Sequence, residues 1–319
     1  MTISKEFVPL FKSIDLSVRR LPIFVIDSGE PGPVIGITAA IHGDEVTGTA
    51  VVQSLVKRLS ASPLKKGKIF ALPILNPTGF ETVTRSLLYD GADLNRSFDG
   101  DNIGSPAERS ASIILSTVLK FSPDFVIDLH TDSSNSIAYT LVDQPNDLSS
   151  KKVVESSIKL AQELGFPWAI DTEESASYPL EKCLTGQLVS RGIPAVTIEL
   201  GGPLVVVEPF RQAGLEAIWQ ILYSRNLVAT PPKKFDDKKQ TSVLTFQSRI
   251  RTTSTGIIDY RVQPGQVIKA KQILGIVRDV FGETIETIYS PVSGILFSHE
   301  DQSVVFPGLS LFTLATEKR

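Results

Sequence analysis

Hydrophobic positions along residues 1–228 follow two patterns. Short continuous apolar runs are typical of strands that are covered on both faces of a sheet. Such runs predict buried strands at 33–40, 68–75, 123–130 and 193–200. Apolar residues at helical spacing predict helices at 45–60, 105–121, 149–165 and 208–226. This alternation predicts an α/β fold with a parallel or mixed sheet.

The helix at 105–121 has a recognisable start. Ser105 is a candidate N-cap, Pro106 occupies the first helical position, and Glu108 lies three residues after the cap. This order predicts a capping box, in which Ser105 and Glu108 satisfy each other's backbone N–H groups.

The composition changes after residue 228. Residues 229–241 are rich in proline and charge, which predicts an exposed linker between a first domain at 1–228 and a second at 242–319. The second domain contains short β-like segments that are broken by glycine and proline. Two similar pieces, 260–277 and 295–314, each contain a Pro-Gly turn and predict two related hairpins in a small all-β domain.

The bulk composition excludes several classes of protein. A net charge of −3 over 319 residues gives no electrostatic reason to expect nucleic acid or an anionic membrane as a partner. No apolar run approaches the roughly 20 residues of a spanning helix, and residues 1–13 do not resemble a signal peptide. The single cysteine, Cys183, cannot form an internal disulfide. We therefore expect a cytoplasmic protein, and the sequence leaves a homo-oligomer open.

Two of the three histidines lie at the ends of predicted strands, where open α/β sheets bind their ligands. His42 follows the strand at 33–40, and His130 ends the strand at 123–130. Glu45 lies three residues after His42, so the two are expected on one face of the first turn of a helix. Catalytic zinc commonly takes two histidines and one glutamate, which predicts a zinc site at His42, Glu45 and His130. Gly43 is expected to permit a tight turn between them.

Three other residues need an interpretation, two of them in the predicted strands and one in the second domain. Asp128 precedes His130 by two residues on the same strand face, so it either supports His130 or is a separate buried acid. Glu199 follows an apolar run, and a buried glutamate is unusual unless it is paired or functional. His299 lies in the β domain, far from these motifs, and is expected to be an exposed structural residue.

Five motifs, "HGDE", "NPTGF…R", "DLNRSF", "DLHT" and "IELGG", follow one another along residues 42–202. In content and order they resemble the succinylglutamate desuccinylase/aspartoacylase family, a branch of the zinc carboxypeptidase-like hydrolases. The resemblance implies a three-layer α/β/α sandwich with a mixed sheet, followed by a small all-β domain. It also implies one zinc ion per chain.

The same resemblance implies a role for each matching residue. His42, Glu45 and His130 would bind zinc, Asp93 would orient His42, and Glu199 would act as the general base. The motifs also imply three residues that act on the substrate. Arg85 would polarise the scissile carbonyl, whereas Asn95 and Arg96 would hold a substrate carboxylate.

Residues 262–275 and 290–296 resemble the biotinyl/lipoyl-like β folds, which form barrels or sandwiches. The lysine of the carrier pattern is absent from the hairpin tip, so we predict no biotinylated or lipoylated lysine.

The sequence therefore predicts a zinc-dependent amidohydrolase that acts on an N-acyl amino acid or a related N-acylated small molecule. Manganese or cobalt could replace zinc at such a site. A metallocarboxypeptidase that acts on peptides is one alternative. A non-catalytic small-molecule-binding protein on a hydrolase scaffold is another.

Overall fold

A computed structural model describes residues 1–13, 15–132, 134–146, 151–173, 178–233 and 244–317. The chain divides into two compact units. The larger unit contains Met1–Thr131 and Tyr139–Thr241, and the smaller unit contains Asp132–Ala138 and Ser242–Arg319. Most of the predicted linker, residues 234–241, lies outside the described residues, and the predicted domain boundaries stay a prediction.

The first nine strands all precede residue 201. They are β1 (Thr2–Lys12), β2 (Val18–Asp27), β3 (Val34–Ala39), β4 (Lys68–Leu72), β5 (Phe125–His130), β6 (Asn135–Ser136), β7 (Ala138–Gln144), β8 (Trp168–Thr172) and β9 (Ala195–Leu200). The α-helices are α1 (Val46–Ala61), α2 (Pro77–Thr82), α3 (Pro106–Lys120), α4 (Lys151–Leu164), α5 (Leu184–Ser190) and α6 (Glu208–Ser224). None of the described helices is both long enough and apolar enough to cross a membrane.

Eight of these strands form one mixed sheet in the order β1-β2-β4-β3-β5-β9-β7-β8. The strands β1, β2 and β4 pair antiparallel, whereas β4, β3, β5 and β9 pair parallel, as do β7 and β8. The central strands β3, β5 and β9 are almost completely buried. Their carboxyl ends therefore lie side by side at one edge of the sheet.

Helices cover both faces of this sheet. On one face α6 packs against α1 and α4, and Gly48 of α1 approaches Leu129 so closely that a Cβ atom there would lie 2.9 Å from the leucine Cβ. On the other face Phe121, at the end of α3, stacks on Phe70 of β4 with ring centroids 4.4 Å apart, and α5 contacts β9. This arrangement confirms the predicted three-layer fold class. Because neighbours in a strand point to opposite faces, His130 lies on the face opposite to α1.

The predicted elements of the larger unit are confirmed to within a few residues. The capping box of α3 is present, since Ser105 N donates to Glu108 Oε2 at 2.8 Å and Glu108 N donates to Ser105 Oγ at 3.3 Å. The hairpin of β1 and β2 was not predicted, because β1 exposes most of its side chains and has no continuous apolar run.

The smaller unit is built from antiparallel sheets. Its later strands are β10 (Leu244–Arg251), β11 (Gly256–Tyr260), β12 (Val267–Ile268), β13 (Ile273–Arg278), β14 (Thr284–Tyr289), β15 (Gly294–His299), β16 (Val304–Val305) and β17 (Ser310–Glu317). One sheet has the order β10-β17-β15-β12, and a second has the order β14-β13-β11-β16. Ile268, Leu274, Leu296, Phe312 and Leu314 are among the buried core residues of this unit.

The two predicted hairpins are present as the antiparallel pairs β11–β13 and β15–β17. Each hairpin also contains a short strand that pairs with the other hairpin, since β12 joins β15 and β16 joins β11. The Pro-Gly turns place Gly265 at φ 88° and Gly308 at φ 89°, a backbone conformation that favours glycine. The two hairpins therefore pair with each other through these short strands.

Strand β6 belongs to the smaller unit, although its residues precede β7 of the larger unit. Asn135 and Ser136 pair with His299 and Ser298 of β15, and Asn135 N donates to Asp301 Oδ1 at 2.8 Å. The expectation that His299 is exposed was wrong. Its ring is buried and stacks on Tyr260 at 4.6 Å, because β15 lies between β6 and β17.

Candidate active site

The first two predicted metal ligands lie in a turn that follows β3. Ala40 has φ 52°, and its carbonyl accepts a hydrogen bond from Asn76 N at 3.0 Å. Glu45 N donates to His42 O at 3.2 Å, and Glu45 is the N-cap of α1. The expectation that His42 and Glu45 share the first turn of a helix was therefore wrong. This backbone hydrogen bond, and not helical periodicity, brings them together.

Glycine is required at position 43 because there is no space there for a side chain. A Cβ atom at this position would lie 1.9 Å from the carbonyl carbon of Gly79 in α2, while Gly43 N donates to Thr84 O at 3.0 Å. Its φ angle is not among the positive values of the chain. The expected turn is present, since Glu45 N donates to His42 O across Gly43, but it is the close approach of α2 that excludes a side chain at this position.

His42, Glu45 and His130 form one buried cluster. Nδ1 of His42 lies 2.5 Å from Oε1 of Glu45, and Nδ1 of His130 lies 2.9 Å from Oε2 of the same carboxylate. One ligand atom from each residue can be chosen so that all three lie within 4.8 Å of one another, and no side chain of the three is more than 4% exposed. Two imidazoles and a carboxylate in this arrangement can hold a divalent metal ion.

The other nitrogen of each histidine faces an aspartate. Nε2 of His42 lies 3.1 Å from Oδ1 of Asp93, and Nε2 of His130 lies 3.0 Å from Oδ2 of Asp128. Thr38 donates its hydroxyl to the second oxygen of Asp128 at 2.6 Å. Of the two interpretations of Asp128, the structure therefore supports direct contact with His130. These carboxylates fix the ring orientation and favour Nδ1 as the nitrogen that faces a metal.

The electrostatics of the cluster favour positive charge. Burial raises the pKa of Glu45, but His42 and His130 lower it more, so the pKa lies well below its usual range. Burial lowers the pKa of His130, but Asp128 and Glu45 raise it further, so the pKa lies well above 6.5. A divalent cation would supply the same positive charge in place of a proton.

Arg85 lies beside the cluster and is held by Asp93. Its Nε and Nη2 atoms lie 3.2 and 3.0 Å from Oδ2 of Asp93, and its Nη1 lies 3.4 Å from Oε1 of Glu45. Burial raises the pKa of Asp93, but His42 and Arg85 outweigh that effect and the pKa is lowered. Asp93 therefore links Arg85 to His42, and one edge of the guanidinium faces the candidate ligands.

Asn95 and Arg96 lie in a short 3₁₀ helix, Leu94–Arg96, whose N-cap is Asp93. The side-chain oxygen of Asn95 accepts a hydrogen bond from Leu184 N at 3.0 Å, which leaves the amide nitrogen as the group that can donate to a ligand. Arg96 Nη1 donates to Asn95 O at 2.7 Å. The Arg96 Cζ atom also lies 3.3 Å from the ring centroid of Tyr178. No motif in the sequence indicated Tyr178.

Glu199 lies on β9, where it is the register partner of His130 on β5. Paired residues on parallel strands point to the same face, so the two side chains share the face that carries the cluster. Glu199 is 9% exposed. The larger unit therefore contains all nine predicted site residues, and their individual roles stay predictions.

Comparisons with known proteins identify the family of this chain. The family model of the succinylglutamate desuccinylase/aspartoacylase catalytic domain matches residues 31–222. N-alpha-acetyl-L-2,4-diaminobutyric acid deacetylase from Halomonas elongata is 36% identical over 111 residues. That match covers 35% of this chain and 32% of the deacetylase, so it spans about a third of the length of that relative.

Two solved structures share the fold over nearly the whole chain. A succinylglutamate desuccinylase/aspartoacylase from Rhodobacter sphaeroides has a TM-score of 0.82 at 21% identity, covering 99% of this chain and 95% of its own. The product-bound ectoine utilization protein EutE from Ruegeria pomeroyi has a TM-score of 0.82 at 18% identity, covering 98% and 95%. With the family match over more than half of its length, this chain belongs to the succinylglutamate desuccinylase/aspartoacylase family.

Proposed function

We propose that this protein is a zinc-dependent hydrolase that cleaves the amide bond of an N-acyl amino acid or a related N-acylated small molecule. One observation carries the proposal. His42 and His130 both turn Nδ1 toward Glu45, while their Nε2 atoms face Asp93 and Asp128. Two histidines and a glutamate are common ligands of catalytic zinc, and carboxylates that contact the other ring nitrogens orient those histidines. Membership of a deacylase family supports the choice of an amide substrate.

The proposed chemistry assigns a role to each of these side chains. When bound by His42, Glu45 and His130, zinc would supply Lewis-acid chemistry that makes water a nucleophile near neutral pH. Glu199 takes the proton from the attacking water and delivers it to the departing nitrogen, so that a carboxylic acid and an amine are released. Arg85 stabilises the negative charge that develops on the acyl oxygen.

Two further residues hold the substrate. Arg96 binds its carboxylate through planar N–H groups, and the free amide nitrogen of Asn95 is a second donor. The deacetylase from Halomonas elongata is named for an N-acetylated diamino acid, which supports a small N-acyl amino acid as the substrate class. We place the enzyme in the cytoplasm, with no nucleic acid or membrane partner.

A substrate panel tests the proposal. Purified protein would be reconstituted with zinc and incubated with N-acetyl and N-succinyl derivatives of neutral, acidic and diamino acids, and amine release would be measured. We expect release from at least one N-acyl amino acid and none after chelation of the metal. Release only from the carboxyl ends of peptides would favour a metallocarboxypeptidase. Binding without any turnover would favour a non-catalytic binding protein.

A further inference from the structure

Among the described residues of the larger unit, three arginines have an aromatic ring beneath the guanidinium. Arg58 lies over Trp219 at 4.0 Å, Arg225 lies over Phe125 at 4.4 Å, and Arg96 lies over Tyr178 at 3.3 Å. The first two also have a carboxylate partner. Arg58 Nη1 is 2.7 Å from Glu216 Oε1, and Arg225 Nη2 is 2.9 Å from Glu163 Oε2.

Arg96 is different. Among the described residues, no carboxylate forms an ion pair with it, and its one hydrogen bond is from Nη1 to the carbonyl of Asn95 at 2.7 Å. A guanidinium has five N–H donors in one plane, so most of its donors remain available in that plane. Asp93 and Asp143 act on this charge only from beyond ion-pair distance, whereas the other two arginines contact their carboxylates directly. A ligand that carries a planar oxyanion would supply the missing partner.

The ring of Tyr178 fixes the plane in which that ligand must approach. With one face of the guanidinium covered by the ring, the free donors can be reached only along its edges. Six residues after Tyr178, Leu184 N donates to the side chain of Asn95, which is a second contact with the Arg96 loop. Burial raises the pKa of the Tyr178 phenol well above 10, so the ring stays neutral and cannot itself be the anionic partner.

We propose that Tyr178 is a positioning residue, which holds the Arg96 guanidinium by stacking and thereby selects substrates with a carboxylate beside the scissile amide. This inference rests on the proposed function and extends it to a residue that the motifs did not indicate. The aromatic face is what acts on Arg96, so the phenol hydroxyl is dispensable. A phenylalanine at position 178 should therefore still hold Arg96 in place, whereas a leucine, which has no π-face, should not.

The test compares Tyr178→Phe and Tyr178→Leu with wild type on two substrates, an N-acyl amino acid that is turned over and its carboxamide. Tyr223→Leu, at an exposed tyrosine of α6, is the matched control. We expect Tyr178→Phe and the control to stay within about twofold of wild type. We expect Tyr178→Leu to lower kcat/KM for the acid about 5–30-fold, through KM, and to leave the carboxamide unchanged.

Equal losses of Tyr178→Leu on acid and carboxamide would overturn the proposal, since they would indicate a general structural role. Equal damage by phenylalanine and leucine would also overturn it, because the hydroxyl would then be the active group. Calorimetric binding of the product amino acid tests the inference without turnover. There, Tyr178→Leu should raise Kd about 5–30-fold while Tyr178→Phe does not. An inactive wild type that shows this binding pattern would refute the proposed function alone, and a wild type that binds no amino acid would refute this inference.

Discussion

Nε2 of His130 lies 3.0 Å from Oδ2 of Asp128, two residues earlier on the same strand. Alternate residues of a strand share a face, so β5 carries both the candidate ligand and the acid that orients it. Thr38 on the neighbouring strand β3 holds the other oxygen of Asp128 at 2.6 Å. The ring of His130 is therefore fixed by two adjacent strands in the centre of the sheet.

Asp128→Asn should weaken metal binding about 10–100-fold, because an amide is a poorer acceptor for the imidazole N–H and makes Nδ1 a weaker ligand. Competition with a chelator of known affinity would measure the change. Asp143→Asn is the matched control. Asp143 is also buried, but it accepts hydrogen bonds from Thr185 and Cys183. An equal loss in both variants would indicate general destabilisation.

Purified wild type should contain about one metal ion per chain, the number expected for a single three-ligand site. His42→Ala and His130→Ala should each lose it, and elemental analysis would measure the content. His299→Ala removes the remaining histidine, which lies in the smaller unit, and should keep the metal. Stoichiometric metal in both His42→Ala and His130→Ala would show that the site is elsewhere.

Metal affinity should fall as the pH is lowered, beginning above pH 6.5. The pKa of His130 is raised well above its ordinary value by Asp128 and Glu45, so in the metal-free protein the proton stays on this histidine to a higher pH than usual. A metal must displace that proton before it can bind. Titration of metal affinity between pH 5 and 9 would measure the effect. An affinity that is flat down to pH 6 would contradict it.

Glu199→Gln should keep the metal and lose about 10²–10⁴-fold in kcat, because the change removes a proton acceptor and leaves the candidate ligands intact. Single-turnover kinetics on metal-loaded protein would measure the loss. Turnover near that of wild type would show that Glu199 is not the general base.

Arg96→Lys should lower kcat/KM about 10–150-fold although the charge is kept, because lysine cannot form the planar bidentate pair. With wild type, kcat/KM for a carboxamide substrate should be lower than for the acid by a similar factor. Arg96→Lys should lower kcat/KM for the carboxamide little further, and this non-additivity measures the contact between Arg96 and the carboxylate. If wild type hydrolyses the amide as well as the acid, Arg96 does not hold a substrate carboxylate.

Local patterns predicted much of the larger unit. The strands that end at His130 and after Glu199 are continuous apolar runs, and the capping box of Ser105 and Glu108 depends on four neighbouring residues. The features that were missed depend on distant contacts. Gly43 is constrained by Gly79, 36 residues away in sequence, and the contact of Tyr178 with Arg96 crosses 82 residues. Neither contact leaves a periodic signal in the sequence.

The same limit applies to the smaller unit. Its hairpins were visible as a repeat, because each contains a Pro-Gly turn. The addition of β6 was not visible, since a two-residue strand is too short to show a period. His299 was misjudged because its contacts are also distant in sequence: its ring stacks on Tyr260, and its strand pairs with β6, more than 160 residues earlier in the chain.

The pairing of β6 with β15 makes the smaller unit discontinuous in sequence. A single cut near residue 242 would separate a fragment that carries β6 without its sheet from a fragment whose strand β15 has an open edge. Such an edge can pair with other chains, so the isolated C-terminal fragment should be prone to self-association. The same discontinuity limits how the smaller unit can be exchanged between related proteins. Exchanging the smaller unit for that of a relative requires three crossovers, one on each side of residues 132–138 and one near the linker, because both pieces must be replaced together. A fusion at the linker alone would join a sheet to a foreign edge strand.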